Sequence, residues 1–220
     1  MSKGYRKTAF TLAEVLVTLG IIGVVSAMTV PSLMQNYQRQ SYVTQLHKVY
    51  NELSQALVRY QNDKNAVNLT EAGLISPNVF SDFVKSYFKI FQDCGEEQTP
   101  CFAPAYKNIA GVNSRFTCDT SCVILANGSS IGVYSGTIPV NGIAQIVVDI
   151  NGQKAPNIFG RDAFTMFLYK DGTLDDLSTD GVVPMTKEQR EARYAAYCIN
   201  NAAWDGCFGK ILNDNWQMTY

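Results

Sequence analysis

Histidine is nearly absent from this 220-residue chain, which has only His47. Most histidine-based acid–base catalysis and multi-histidine metal sites therefore lack their parts. An excess of basic charge is missing too. With 18 Lys and Arg against 19 Asp and Glu, the formal net charge is -1, and no overall positive field exists to hold nucleic acid phosphates. Cysteine is absent ahead of Cys94; all six lie between Cys94 and Cys207, a usage that suits a compartment where disulfides persist. The chain has no sequence repeats and no low-complexity linkers. It carries no HExxH, GxSxG, P-loop or dinucleotide fingerprint, so no enzymatic activity is expected and no cofactor or metal is assigned. At 46% hydrophobic and 17% charged, it can fill one core of ordinary domain size but not several.

The charge that is present is unevenly placed. Residues 1–9 carry Lys3, Arg6 and Lys7 and no acid, while the rest of the chain holds 15 basic and 19 acidic side chains. Then comes FTLAEVLVTLGIIGVVSAMTVPSLM, Phe10 to Met34, whose one charge is Glu14; the next charge is Arg39. The 22 residues from Phe10 to Pro31 would measure about 33 Å as a helix, enough to cross a bilayer core. Basic residues ahead of the run predict a cytoplasmic N-terminus and an exported remainder. A secretory signal peptide ending in Val25-Ser26-Ala27 and an uncut signal anchor both account for the apolar run. Neither accounts for Glu14, because a carboxylate inside a membrane helix costs several kcal/mol and marks a functional site by default.

The order of these residues resembles the type IV prepilins and the pseudopilins of type II secretion. A basic leader ends here in Lys7-Thr8-Ala9, and Phe10-Thr11-Leu12-Ala13-Glu14 opens the long apolar helix. The resemblance implies cleavage by a prepilin peptidase between Ala9 and Phe10, and N-methylation of Phe10. It also implies a charge pair in the filament between Glu14 and the Phe10 amine of a neighbouring subunit. The residue before the cut is usually Gly in that family and is Ala9 here, small enough for cleavage but expected to slow it. Gly23 and Pro31 stand fourteenth and twenty-second from the cut, where such proteins commonly have Gly and Pro. A proline inside a helix removes a hydrogen bond and clashes with the preceding turn, and a glycine adds backbone entropy. These effects weaken the helix there, and the resemblance implies that the stretch from roughly Gly23 to Pro31 melts on assembly. For Gly20 and Gly23, close packing of helices through small residues is an equal alternative. The implied partners are other pilin or pseudopilin subunits, the prepilin peptidase, an inner-membrane assembly platform and membrane lipid, with no nucleic acid. The implied location is a single pass of the inner membrane with the globular part in the periplasm, then a filament.

Beyond the membrane segment the pattern turns amphipathic. Leu46, Val49, Tyr50, Leu53, Leu57 and Tyr60 recur at three- and four-residue steps with Arg39, Lys48, Glu52 and Arg59 between them, predicting a helix that continues to about Asn62. His47 lies off that stripe and is expected on the solvated surface. Phe80, Phe83, Val84, Tyr87, Phe88 and Phe91 predict a second helix over Val79–Gln92, entered at Pro77-Asn78. Strands are predicted over Cys122–Ala126, Ser130–Tyr134, Ile143–Ile150 and Phe164–Tyr169, with Asn127-Gly128, Asn151-Gly152 and Asp171-Gly172 as turns. A last helix is predicted from Thr186 to about Asn200. The fold class is α+β, a long N-terminal helix packed on a C-terminal antiparallel sheet, as in pilins. The expected organisation is a leader over 1–9, a helix over 10–62 (transmembrane 10–34, amphipathic 35–62) and a globular domain over 63–220.

Cys94 and Cys101, Cys118 and Cys122, and Cys198 and Cys207 are neighbours in sequence, although six cysteines allow fifteen connectivities. The first and third pairs close short loops, whereas Cys118 and Cys122 can meet only across a turn, since strand residues four apart lie too far from each other. The pilin resemblance favours Cys198–Cys207. A zinc site built on Cys118 and Cys122 is the weaker alternative in an exported protein. The stretch from Asp149 to Asp162 has oxygen-bearing side chains at alternate positions, as a calcium loop does, but Gly160 stands where the closing acid should be; a turn rich in Asn, Gly and Pro is the preferred reading. Asp171, Asp175, Asp176 and Asp180 form a second oxygen cluster of the same ambiguous kind. Lys187, Arg190, Arg193 and Lys210 are the one late basic cluster and are expected on a solvated helix face. A disulfide-stabilised periplasmic or cell-surface binding module on a membrane anchor is the rival to a filament subunit, and it leaves Glu14 unexplained. A calcium-dependent surface adhesin is a second rival, and it needs the Asp149–Asp162 stretch to bind metal.

Overall fold

Leu, Val, Ile and Ala dominate the residues after Thr11, and in the computed structural model they begin one helix, α1, Leu12–Asp63. The structure describes residues 11–136, 138, 140–200 and 203–220. Two units divide the described chain, one ending at Arg39 and the other running from Gln40 to Tyr220. In the first, Leu16, Val17, Leu19, Ile21, Ile22, Val24 and Val25 are all more than half exposed. The helix is long and apolar enough to cross a membrane. Gly23 and Pro31 both lie inside it, and it continues through them uninterrupted.

In the second unit the same helix has one buried stripe, formed by Val43, Leu46, Val49, Leu53, Ala56, Leu57 and Tyr60. These recur every three or four residues, the spacing that puts side chains on one face. The stripe joins a core with Phe80, Phe83 and Val84 of α2, Pro77–Tyr87, and with residues of a sheet. Pro77 starts α2, where its missing N–H costs nothing.

The helix expected over Val79–Gln92 therefore ends at Tyr87, short of its predicted end. Phe88 is extended (φ -118°, ψ 151°), and Ile90–Asp93 forms β1. Phe91 sits four residues from Tyr87, which reads as helical spacing, yet as a strand residue it points outward and is 77% exposed. The remaining strands are β2 (Tyr106–Lys107), β3 (Asn113–Ser114), β4 (Ser121–Leu125), β5 (Ser130–Tyr134), β6 (Gly142–Asp149), β7 (Ala163–Tyr169) and β8 (Leu174–Asp175). β1, β4, β5, β6, β7 and β8 make one antiparallel sheet in that order, and β2 pairs with β3 apart from it. Gly128, with φ 87°, turns β4 into β5. All seven residues of β7 are buried, because the sheet is covered on both faces. The α1–α2 core lies on one face; on the other is a second cluster with Phe102, Tyr106, Cys118, Cys122, Val147 and Phe159. The chain thus adopts the expected α+β arrangement.

The last predicted helix is shorter and irregular. It comprises α3, Lys187–Arg193, followed by a π-helical turn over Tyr194–Cys198. Thr186 caps it in a reciprocal box with Gln189, where Glu188 was the acid expected near the start. α4, Cys207–Asn213, was not anticipated.

Gly132 in β5 leaves no room for a side chain, since a Cβ there would fall 2.6 Å from Cβ of Cys118 and 3.2 Å from the Phe102 ring. Gly132→Ala should lower unfolding free energy by about 1–3 kcal/mol in denaturant titrations, as overpacked cores do. Thr44→Ala, on the exposed side of α1, should change it by less than about 0.5 kcal/mol.

Candidate functional site

Glu14 stands at the head of α1 and is held by Thr11. The backbone N–H and the hydroxyl of Thr11 both donate to Glu14 Oε2, at 2.8 and 2.9 Å, and the Glu14 N–H donates to Thr11 Oγ1 at 3.3 Å. This is a capping box, which gives free helix-end donors a partner. Among the described residues, Glu14 Oε1 accepts no hydrogen bond. Farther along, the Thr18 hydroxyl donates to the carbonyls of Glu14 and Val15, and the Thr29 hydroxyl to that of Val25, each at 2.9 Å. Hydroxyls turned back onto their own helix suit a segment with no water to serve them. Ala9 and Phe10, the residues expected at the cut, lie outside the described residues.

The cysteines join as Cys94–Cys101, Cys118–Cys122 and Cys198–Cys207, with Cα separations of 6.1, 5.7 and 5.0 Å. The four-residue pair closes because Cys118 lies in irregular chain ahead of β4, which begins at Ser121. His47 is half-buried, not solvated as expected. Its ring stacks on Trp216 with centroids 3.9 Å apart and planes 15° from parallel. Trp216 comes from the far end of the chain, so nothing near His47 in sequence signalled the contact.

The late basic cluster departs further from expectation. Arg190 pairs with Asp175 at 2.6 Å, Arg193 pairs with Asp205 and lies 3.7 Å over the Tyr197 ring, and Lys210 bridges Glu191 and Asp214 at 3.0 and 2.9 Å. Of the four residues placed on a solvated face, only Lys187 is exposed and without an ion pair among the described residues. The acidic cluster is likewise drawn apart. Asp175 and Asp176 are fully buried. Asp176 accepts the N–H groups of Leu177, Gly206 and Gly209, and burial together with the neighbouring Asp205 pushes its carboxyl up to about 6. Asp180 accepts from Ser178, Val182 and Gln189, and Asp171 from Thr173. Asp175, Asp176 and Asp180 fasten α3 and the start of α4 to β8 and the loop after it, while Asp171 serves its own turn; the four do not converge on one point.

In the Asp149–Asp162 stretch the carboxylates serve the turn itself. Asp162 Oδ1 accepts from Ile158 N at 2.7 Å and its Oδ2 from Asn157 N at 2.9 Å. Asp149 Oδ1 accepts from Asn151 N at 3.1 Å and its Oδ2 from the Tyr106 hydroxyl at 2.5 Å.

Against this geometry, residues 5–30 match the family model described as the prokaryotic N-terminal methylation motif. The chain is also similar to type II secretion system core protein G of Pectobacterium carotovorum subsp. carotovorum, 37% identical over 71 residues, which are 32% of this chain and 45% of that protein. It is 35% identical over 69 residues to type II secretion system core protein G of Aeromonas hydrophila, 31% of this chain and 48% of that one. The chain therefore spans less than half the length of the curated relatives it matches. No solved structure matches it. The motif and these similarities support the type IV pilin and pseudopilin family.

Asp175 has no exposed surface and two short contacts from one guanidinium, 2.9 and 2.6 Å. Arg190→Ala should therefore cost about 3–5 kcal/mol in urea or guanidinium unfolding, the range for a buried charge left alone.

Proposed function

We propose that this chain is a structural, non-catalytic subunit of a type IV pilus or type II secretion filament. A prepilin peptidase removes residues 1–9, Phe10 becomes the methylated N-terminus, and residues 10–34 hold the subunit in the inner membrane. The globular part, 63–220, faces the periplasm, and 35–62 continue the helix into it. The subunit then leaves the bilayer through the assembly platform and packs its helix against those of other pilin or pseudopilin subunits.

One observation carries this reading: Glu14 is the lone charge of the apolar, unburied stretch of α1 ahead of Arg39, and one of its carboxylate oxygens has no donor among the described residues. An ionised carboxylate in an apolar bundle needs a cation. The amine that cleavage creates on Phe10 of a neighbouring subunit would supply one. The same cut would release residues 1–9 and leave in place the capping box that Thr11 makes with Glu14. Gly23 and Pro31 are tolerated in the lone helix, and we assign them the place where it would unwind once neighbours crowd it.

Glu14→Val should leave membrane insertion unchanged, since it removes only a charge from the spanning segment. Incorporation into sheared filaments, measured by quantitative immunoblotting, should fall more than about tenfold, in keeping with the loss of a buried ion pair. Unaltered incorporation would contradict the charge-pair role.

A further inference from the structure

Asp149 and Asp162 are both fully buried, and neither forms an ion pair with any described Lys, Arg or His. Buried charges are ordinarily paired, because an unpaired one forfeits its hydration. The groups around them add no positive charge. Tyr106, from β2, donates its hydroxyl to Asp149 at 2.5 Å and itself accepts from Ala103 N at 3.3 Å. Arg161, next to Asp162, is turned to the carbonyl of Tyr220 at 3.3 Å. Lys107 and Lys154 are exposed, and the residues opposite Asp149 on β5 and β7 are Ser130 and Ala163. Two further buried oxygens of the same loop, Asn151 Oδ1 and Asn157 Oδ1, have no hydrogen-bond partner. Every carboxylate oxygen of the pair already accepts a protein donor.

This cluster sits where three pieces meet. Asp149 ends β6, Asp162 closes the loop leading to β7, and Tyr106 belongs to the separate β2–β3 sheet. The loop also runs beside β2, with Lys107 N donating to Asn157 O at 3.1 Å and Phe159 N to Lys107 O at 2.8 Å. Holding these pieces together requires the two acids to coexist in a dry site.

We propose that Tyr106, Asp149 and Asp162 form a proton-operated latch, closed while one of the two buried carboxyls is protonated and loosened when both are charged. The proton leaves to solvent, and no other group changes. Burial pushes Asp149 up to about 7, with Asp162 adding to the rise, and burial raises Asp162 as well. The opened loop exposes Asp149 to water, where it titrates in the ordinary carboxylate range. Between that range and about pH 7, the closed form binds a proton that the open form does not. The latch is therefore tightest in acid, weakens as pH rises through that window, and levels off above it.

Amide hydrogen exchange of the full chain in detergent micelles reads this directly. Corrected for intrinsic rates, the opening constant of the amides of residues 151–162 should rise at least tenfold between about pH 5 and pH 8. In Asp149→Asn, whose amide can still meet Tyr106, the rise should be less than about twofold, leaving the background from groups such as Asp176. Infrared difference spectra supply a second check: the protonated-carboxyl band that disappears between about pH 6 and pH 8 should be present in the wild type and smaller in Asp149→Asn, which keeps the Asp176 contribution. A flat wild-type exchange profile, an undiminished rise in the variant, or a band missing from the wild type or undiminished in the variant would each overturn the proposal. So would recovery of loop protection at about pH 8 on adding calcium alone, which would make the cluster a cation site.

Discussion

A single helix, α1, has to answer to two different solvents, and the rest of the molecule is arranged around that constraint. From Gln40 onward it buries a narrow stripe, Val43 through Tyr60, in a protein core. Before Arg39 its Leu, Ile and Val side chains are exposed around the helix. A helix apolar all round is stable only where another apolar medium surrounds it, whether lipid or neighbouring helices. Glu14 is the exception in that surface. A carboxylate in that surface calls for a cation once it leaves water, and the Phe10 amine of a neighbouring subunit is the one we propose.

The unit from Gln40 to Tyr220 is secured by covalent and ionic ties. Three short disulfide loops close the chain just after β1, the segment that leads into β4, and the end of the π-helical turn against α4. Buried pairs add to them, with Arg190 on Asp175 holding α3 to β8 and Arg193 on Asp205 holding α3 to the segment before α4. Such pairs contribute modestly when intact but cost several kcal/mol when one partner is lost. They confer uniqueness on a region whose helices are each only seven residues long.

Local signals in the sequence translated well. The amphipathic spacing from Leu46 to Tyr60 is the buried stripe, and Asn127-Gly128 is the β4–β5 turn with Gly128 at positive φ. The prepilin-like opening is plain in Phe10-Thr11-Leu12-Ala13-Glu14, and its Thr11-x-x-Glu14 spacing is also that of the capping box the structure shows. What failed was long-range. Phe91 mimicked helical periodicity because aromatic residues suit strands and helices alike, and pairing with β4 decided the matter. α4 begins at Gly206 in a left-handed conformation and contains Gly209, so neither a cap nor an apolar period announced it. Arg190, Arg193 and Lys210 looked like a solvated face because Asp175, Asp205 and Glu191 are brought to them only by the fold. The Tyr106–Asp149 contact joins residues 43 apart, beyond the reach of any spacing rule.

We propose that residues 1–9 are cut away and that the apolar half of α1 then packs into a filament. The most direct test is the N-terminal peptide mass of the protein taken from its native membrane. A chain beginning at Phe10 with one added methyl group is the expected result. A chain beginning at Met28, or one that keeps its basic leader, would contradict the account and leave a membrane-targeted binding module in its place.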